Sequence, residues 1–193
     1  MAAIRTMDEK FAHEVGDVYD AEHRFLEGMR EMLDAASDAK VKKLLKAHIR
    51  QSEGQIVTLE QVYQLIGKKP KRVKCAASAG LVAEASKSLE DAEENPAIRD
   101  CLIAGASAKA EHYEIVSYRG LIATAEVLGL AEAVPLLQEI LQQEVETAAL
   151  VEESAPELLR KALNVKKKAV PRKAKAKSGP VAESESDGEA DAV

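Results

Sequence analysis

Apolar residues recur at helical spacing along four long stretches of the chain, and in three of them a glutamate sits at the centre of the apolar stripe. At about 100° per residue, Val15, Val18, Tyr19, Phe25, Leu26, Met29 and Leu33 all fall within about 60° of Glu22. Around Glu111 the same geometry collects Ala104, Ser107, Ala108, Glu114, Ile115, Tyr118, Ile122 and Ala125. Around Glu144 it collects Leu137, Ile140, Leu141, Thr147, Ala148 and Val151. An ordinary surface helix keeps its charges opposite the stripe, and Glu is almost never fully buried unpaired. Such a chain must pack helices with carboxylates facing inward, where ionisation is tolerable only beside a positive partner. A shared cation is the simplest partner. The alternative is that the glutamates stay protonated or pair with buried Lys, Arg or His.

The boundaries of these stretches are marked by local signals. Thr6-Met7-Asp8-Glu9 forms a capping box opening a first helix that runs to about Ala36. Ser37 and Asp38 supply a turn and the next N-cap, and helix two continues to Ile66 before Gly67. A basic loop, Lys68 to Lys74, leads to a short helix at about Ser78 to Asp91. Asn95-Pro96 then starts helix three, which reaches Leu128 before Gly129. Helix four begins near Ala131, accepts Pro135 in its first turn and is expected to break or kink at Pro156. Two short links and one long connection predict an all-α, ferritin-like four-helix bundle with a crossover carrying a short extra helix. No period-two β-branched runs favour sheet. Aromatic residues make up only 3% and Trp is absent, so the core must be aliphatic.

The bundle is expected to occupy 1–163. The remainder, 164–193, has no apolar stripe and is expected to be a disordered tail, basic from Lys166 to Lys177 and acidic from Glu183 to Asp191. The formal charge of −6 therefore conceals a more acidic body, which suits cation uptake better than nucleic-acid binding. Cys75 and Cys101 fit neither a metal motif nor a disulfide framework, and point to a reducing compartment. With no apolar signal-peptide core and no run of membrane-spanning length, the expected location is cytoplasmic.

Helix two leaves its inward group open. Ser52 lies at the centre of a stripe of Val41, Leu45, Ile49, Ile56, Leu59 and Tyr63, with Glu53 and His48 on opposite margins. Either could reach inward, but they do not easily serve one metal together. The candidate metal ligands are thus Glu22, Glu53, Glu111, Glu114, Glu144 and His48. Hard carboxylate donors favour iron, in a di-iron pair, with manganese as the other choice. Known di-metal bundles add a Glu-x-x-His motif on two helices; here Glu53-Gly-Gln-Ile56 and Glu144-Val-Glu-Thr147 lack that histidine. His112 lies about 100° round from Glu111 and is expected beside the site or on the surface. Tyr19 and Tyr118 share the inward faces, as core residues or as hydrogen-bonding or redox neighbours.

Several stretches carry a resemblance: Asp17-Val-Tyr-Asp-Ala-Glu22, His48 through Ser52-Glu-Gly-Gln55, Gly80-Leu-Val-Ala-Glu84 after Cys75, Glu111-His-Tyr-Glu-Ile115 followed by Tyr118, and Leu136-Leu137 through Glu144. In them the chain, over about Asp8 to Ala155, resembles the YciE/YciF-type bacterial stress proteins of the ferritin-like superfamily. The resemblance implies a four- or five-helix bundle, a homodimer and a part in bacterial stress responses. It supplies no substrate. The family commonly has further acidic residues just before Glu144 and four after it, where this chain has Gln143 and Ala148. The function expected is metal binding in a stress response, with peroxide or dioxygen as the oxidant handled. The alternative is a non-enzymatic dimeric scaffold whose charged tail contacts nucleic acid or partner proteins, with a solubilising tail favoured over a nucleic-acid one.

Overall fold

The computed structural model describes residues 3–164, and they form five helices in the order α1 (Met7–Ala35), α2 (Ala39–Leu65), α3 (Ala76–Asp91), α4 (Pro96–Val127) and α5 (Ala133–Leu163). The expected 164–193 tail lies outside the described residues except for Asn164, which caps α5. The Thr6 hydroxyl accepts from the Glu9 amide at 3.1 Å, and the Glu9 carboxylate accepts from the Thr6 amide at 3.2 Å, so the capping box forms. Asp38, Asn95 and Pro96 take their expected places at the starts of α2 and α4. Gly67 and Gly129 follow α2 and α4 with φ of 67° and 70°, a region that costs glycine nothing. No helix among the described residues is long and apolar enough to cross a membrane.

Contacts between helix ends set the topology. Buried Asp100, near the start of α4, accepts from the Ser37 and Asp38 amides at 2.7 and 2.9 Å, so α4 starts where α1 turns into α2. Lys10 of α1 donates to Thr124 of α4 at 2.9 Å, which makes those two helices antiparallel. Lys161 pairs with Asp38 at 2.6 Å, bringing the end of α5 to the start of α2. The result is two helical hairpins, α1–α2 and α4–α5, joined by a crossover that runs back along the bundle. Within the crossover α3 lies against α1 and α4.

Asp20 holds the crossover down. Its buried carboxylate accepts from Arg72 and from the Cys75 amide at 2.7 and 2.9 Å, and from Arg24 one turn on at 2.6 Å. These donors hold the Asp20 carboxyl below its usual range despite burial. Beside it the Val73 amide donates to the Gly16 carbonyl at 2.9 Å and the Tyr63 hydroxyl donates to the Lys71 carbonyl at 2.7 Å.

Of the break or kink expected at Pro156, the structure excludes the break: α5 runs through that residue as one helix. Proline removes one backbone donor, and the carbonyl it would have served belongs to Glu152, an exposed residue that water can reach. The turns beyond stay docked through buried Leu158 and the Lys40–Glu157 pair at 2.5 Å.

The core is largely aliphatic, with Phe11, Tyr19, Phe25, Tyr63 and Tyr118 also buried in it. A small cluster of Ala21, Phe25, Cys75 and Ala110 lies beside two larger ones that form layers. One gathers Phe11, Val15, Leu59, Val62, Leu121, Leu137 and Ile140, and the other Leu26, Met29, Leu45, Ile103, Val151 and Leu158. Along each long helix the buried polar residues Glu22, Ser52, Gln55, Glu111, Glu114 and Glu144 fall between the two.

A β-carbon at Gly16 would stand 2.6 Å from a Val73 methyl and 2.9 Å from the Lys71 carbonyl oxygen. Gly16→Ala is therefore expected to cost about 1–3 kcal/mol by overpacking the crossover against α1. Urea unfolding would measure it; unchanged stability would mean that the loop does not sit this tightly.

Candidate metal centre

The long helices each contribute to the polar layer. α4 supplies Glu111 and Glu114, α5 supplies Glu144, α2 supplies His48, and one ligand atom from each of these four residues lies within 4.8 Å of the others. Glu22 of α1 is fully buried next to them, and its charge acts on Glu111 and Glu114. His48 Nδ1 is 3.1 Å from Glu111 Oε1, and Nε2 is 3.7 Å from Glu144 Oε2.

Two donors hold the carboxylates. The Gln55 amide donates to Glu144 Oε1 and, at 3.1 Å, to Gln143. The Tyr118 hydroxyl donates to Glu22 Oε1. Among the described residues, Glu22 Oε2, Glu144 Oε2 and both oxygens of Glu111 and Glu114 have no hydrogen-bond partner, and neither does His48 Nε2. No described Lys or Arg pairs with any of these glutamates; the one described basic side chain beside them is His48, against Glu111 and Glu144. Orphaned buried polar atoms are rare in folded proteins. A group of oxygens with one imidazole, converging in a dry layer, is a donor set that fits a hard cation.

The electrostatics follow from that burial. Desolvation first, and then Glu144 and Glu22, push Glu111 up to about 11. Burial followed by Glu144 raises Glu22 well above the carboxyl range, with the Tyr118 hydrogen bond opposing the shift. Burial followed by Glu22, Glu144 and Glu111 does the same to Glu114. Tyr118 is raised well above the usual phenol value by burial and then by Glu22 and Glu114. Because burial disfavours the charged form, Glu22, Glu111 and Glu114 hold their protons when no cation is present.

Of the six candidate ligands, five lie in this layer and Glu53 does not. Its side chain is half exposed and pairs with Arg30 at 2.9 Å. Ile49 and Ile56 are only half buried, whereas His48, Gln55 and Leu59 are fully buried. The inward face of α2 is therefore rotated towards His48 and away from Glu53. Gln55 is the residue of the layer that sequence reasoning does not single out. It follows His48 by seven positions and so shares its face, but an amide draws no attention as a metal ligand. His112 is exposed and meets Glu152 at 2.7 Å. Tyr19 turns its hydroxyl away from the layer, to Glu60 at 2.8 Å, and packs edge-on against Tyr63.

Comparison with known proteins adds a family to this geometry. The family model described as "Domain of unknown function (DUF892)" matches residues 6–164. Protein YciF of Escherichia coli (strain K12) is 37% identical over 145 residues, covering 75% of this chain and 87% of YciF. The crystal structure of the E. coli stress protein YciF superposes with a TM-score of 0.77 at 34% identity, over 82% of this chain and 99% of that one. YcfI from Rhodopseudomonas palustris superposes with a TM-score of 0.73 at 32% identity, over 77% of this chain and 94% of its own.

The raised carboxyls make a pH prediction. Unfolded, Glu22, Glu111 and Glu114 would release protons near their ordinary value of 4.5; folded and metal-free, they keep them. The folded state then binds more protons, so stability must fall as pH rises above that value. Each such group is expected to contribute a slope of up to about 1.4 kcal/mol per pH unit. Urea titrations of chelator-treated protein at about pH 6 and about pH 8 would measure this, with Glu111→Gln giving a flatter profile. Stability that rises over this range would contradict the assignment.

Proposed function

This chain belongs to the DUF892 family, and on that premise we propose that it is a metal-binding, ferritin-like protein of the bacterial stress response. In this reading Glu22, Glu111, Glu114, Glu144 and His48 together hold a pair of iron ions, or manganese in their place. The observation that carries the reading is the set of buried carboxylate oxygens without hydrogen-bond partners, in a layer where His48 is the one basic side chain that meets them among the described residues. Oxygen donors with one imidazole suit iron and manganese better than thiolate-seeking metals. Bound iron would supply electron exchange with peroxide or dioxygen, the chemistry that fits a stress protein.

The side chains have distinct parts in this proposal. Glu111 and Glu114, one turn apart on α4, face Glu22 and Glu144 from the two hairpins, so cation binding would tie all four long helices together. On cation entry the protonated carboxyls give up their protons, which removes the cost of buried ionisation. Gln55 and Tyr118 each occupy one oxygen of Glu144 and Glu22, leaving the other oxygen of each to face the layer. His48 offers the one nitrogen ligand. The same reading takes the chain as a homodimer. Val116 and Leu150 expose apolar surface on α4 and α5 that a second copy could cover.

Anaerobic loading with Fe(II) or Mn(II), followed by elemental analysis, tests the proposal. The parent protein is expected to retain about two ions per chain. Glu22→Gln, Glu111→Gln and Glu144→Gln should each reduce that number, while Glu53→Gln should not. Equal metal content in all five proteins would refute the site.

A further inference from the structure

A narrow cavity of about 20 Å³ lies between α1, α3 and α4, and it reaches the polar layer at Glu111 and His48. Its polar groups sit at the two ends. Outside, Ser86 donates to Glu31 at 3.2 Å between exposed parts of α3 and α1; inside are His48, Ser107 and Glu111. The walls between these ends are apolar: Met29 and Met32 on one side, Leu81, Val82 and Ala85 of α3 on another, and Ala110 at the inner end. Gly28 adds room beside Val82, since a β-carbon there would meet only Val82 methyls, at 3.5 and 3.6 Å. A second hollow, on the far side of His48, stops at that ring and does not touch Glu111.

We infer that this α1–α3–α4 cavity is an entry passage and binding site for a small uncharged apolar molecule of the dioxygen class, on its way to Glu111. The volume accommodates one water-sized or diatomic guest, and the apolar walls between the polar ends give water no partner, the property by which apolar cavities take up apolar gases. Hydrogen peroxide would have to surrender hydrogen bonds along walls that offer none in return. An anion would meet a cluster of carboxyls at the inner end. The inference also gives the crossover helix a part, because α3 supplies one whole wall of the passage. It rests on the proposed metal-binding function for its purpose, though not for its test.

The test is proton NMR of methyl groups in the full chain, prepared metal-free and therefore diamagnetic, under dioxygen pressure. Dioxygen is paramagnetic and shortens the relaxation of methyls it visits. Methyls of Met29 and Met32 are expected to relax several-fold faster than those of Val18 and Leu26, which are similarly buried and lie outside the passage. Gly28→Leu should abolish that excess by filling the passage; Ala85→Leu, on the facing wall, serves the same purpose if the first variant does not fold. Uniform relaxation of the two sets of methyls, or an excess that survives filling, would overturn the inference. A chain that fails to retain metal but shows the excess would sink the proposed function and leave the passage standing. Metal retention with uniform relaxation would do the reverse.

Discussion

Burying several carboxyl groups between two aliphatic layers is the constraint on which the rest of this molecule depends. Glu22, Glu111, Glu114 and Glu144 are each at most 1% exposed, and ionising them there without a cation would be far costlier than the net stability of a typical domain allows. The metal-free fold tolerates them because burial and mutual repulsion keep Glu22, Glu111 and Glu114 protonated. That protonated state is a compromise. Most of the oxygens face no donor, so the layer forfeits hydrogen bonds that an aliphatic layer would never have needed. Structure of this kind is better explained by a guest than by stability.

The remaining architecture keeps those side chains in register. Asp100 fastens the start of α4 to the α1–α2 turn, and Lys161 fastens the end of α5 to the start of α2. Together they fix the two hairpins lengthwise, so that Glu22, Glu111 and Glu144 arrive at one level. Asp20, two residues before Glu22, clamps the crossover through Arg72 and the Cys75 amide. The same crossover then lays α3 over the side of the bundle nearest Glu111.

Much of this could be read from the chain because the signals are local. A glutamate at the centre of an apolar stripe points inward whatever its partners are, which is why Glu22, Glu111, Glu114 and Glu144 stood out. Helix caps at Thr6, Asp38 and Asn95 are equally local. Helix two was harder. Its stripe includes Ile49 and Ile56, which pull the apparent centre towards Glu53, whereas packing against α1 and α5 turns the helix towards His48 and Gln55. Which half-apolar margin is buried depends on neighbours that one helix's periodicity does not encode. Whether Pro156 ends its helix was equally hard to read, since its cost depends on whether water can reach the carbonyl left unpaired. The Asp20–Arg72 clamp spans fifty-two positions, and no spacing rule connects its partners.

The central claim is that protons and cations compete for one buried set of carboxylates. Calorimetric titration of Mn(II) into metal-free protein near neutral pH, repeated in buffers of different ionisation enthalpy, counts the protons released per ion bound. Release of at least one proton for each ion, lost when Glu111 is replaced by Gln, is the result this account predicts. Binding with no proton release, or release unchanged in Glu111→Gln, would place the ion elsewhere and contradict it.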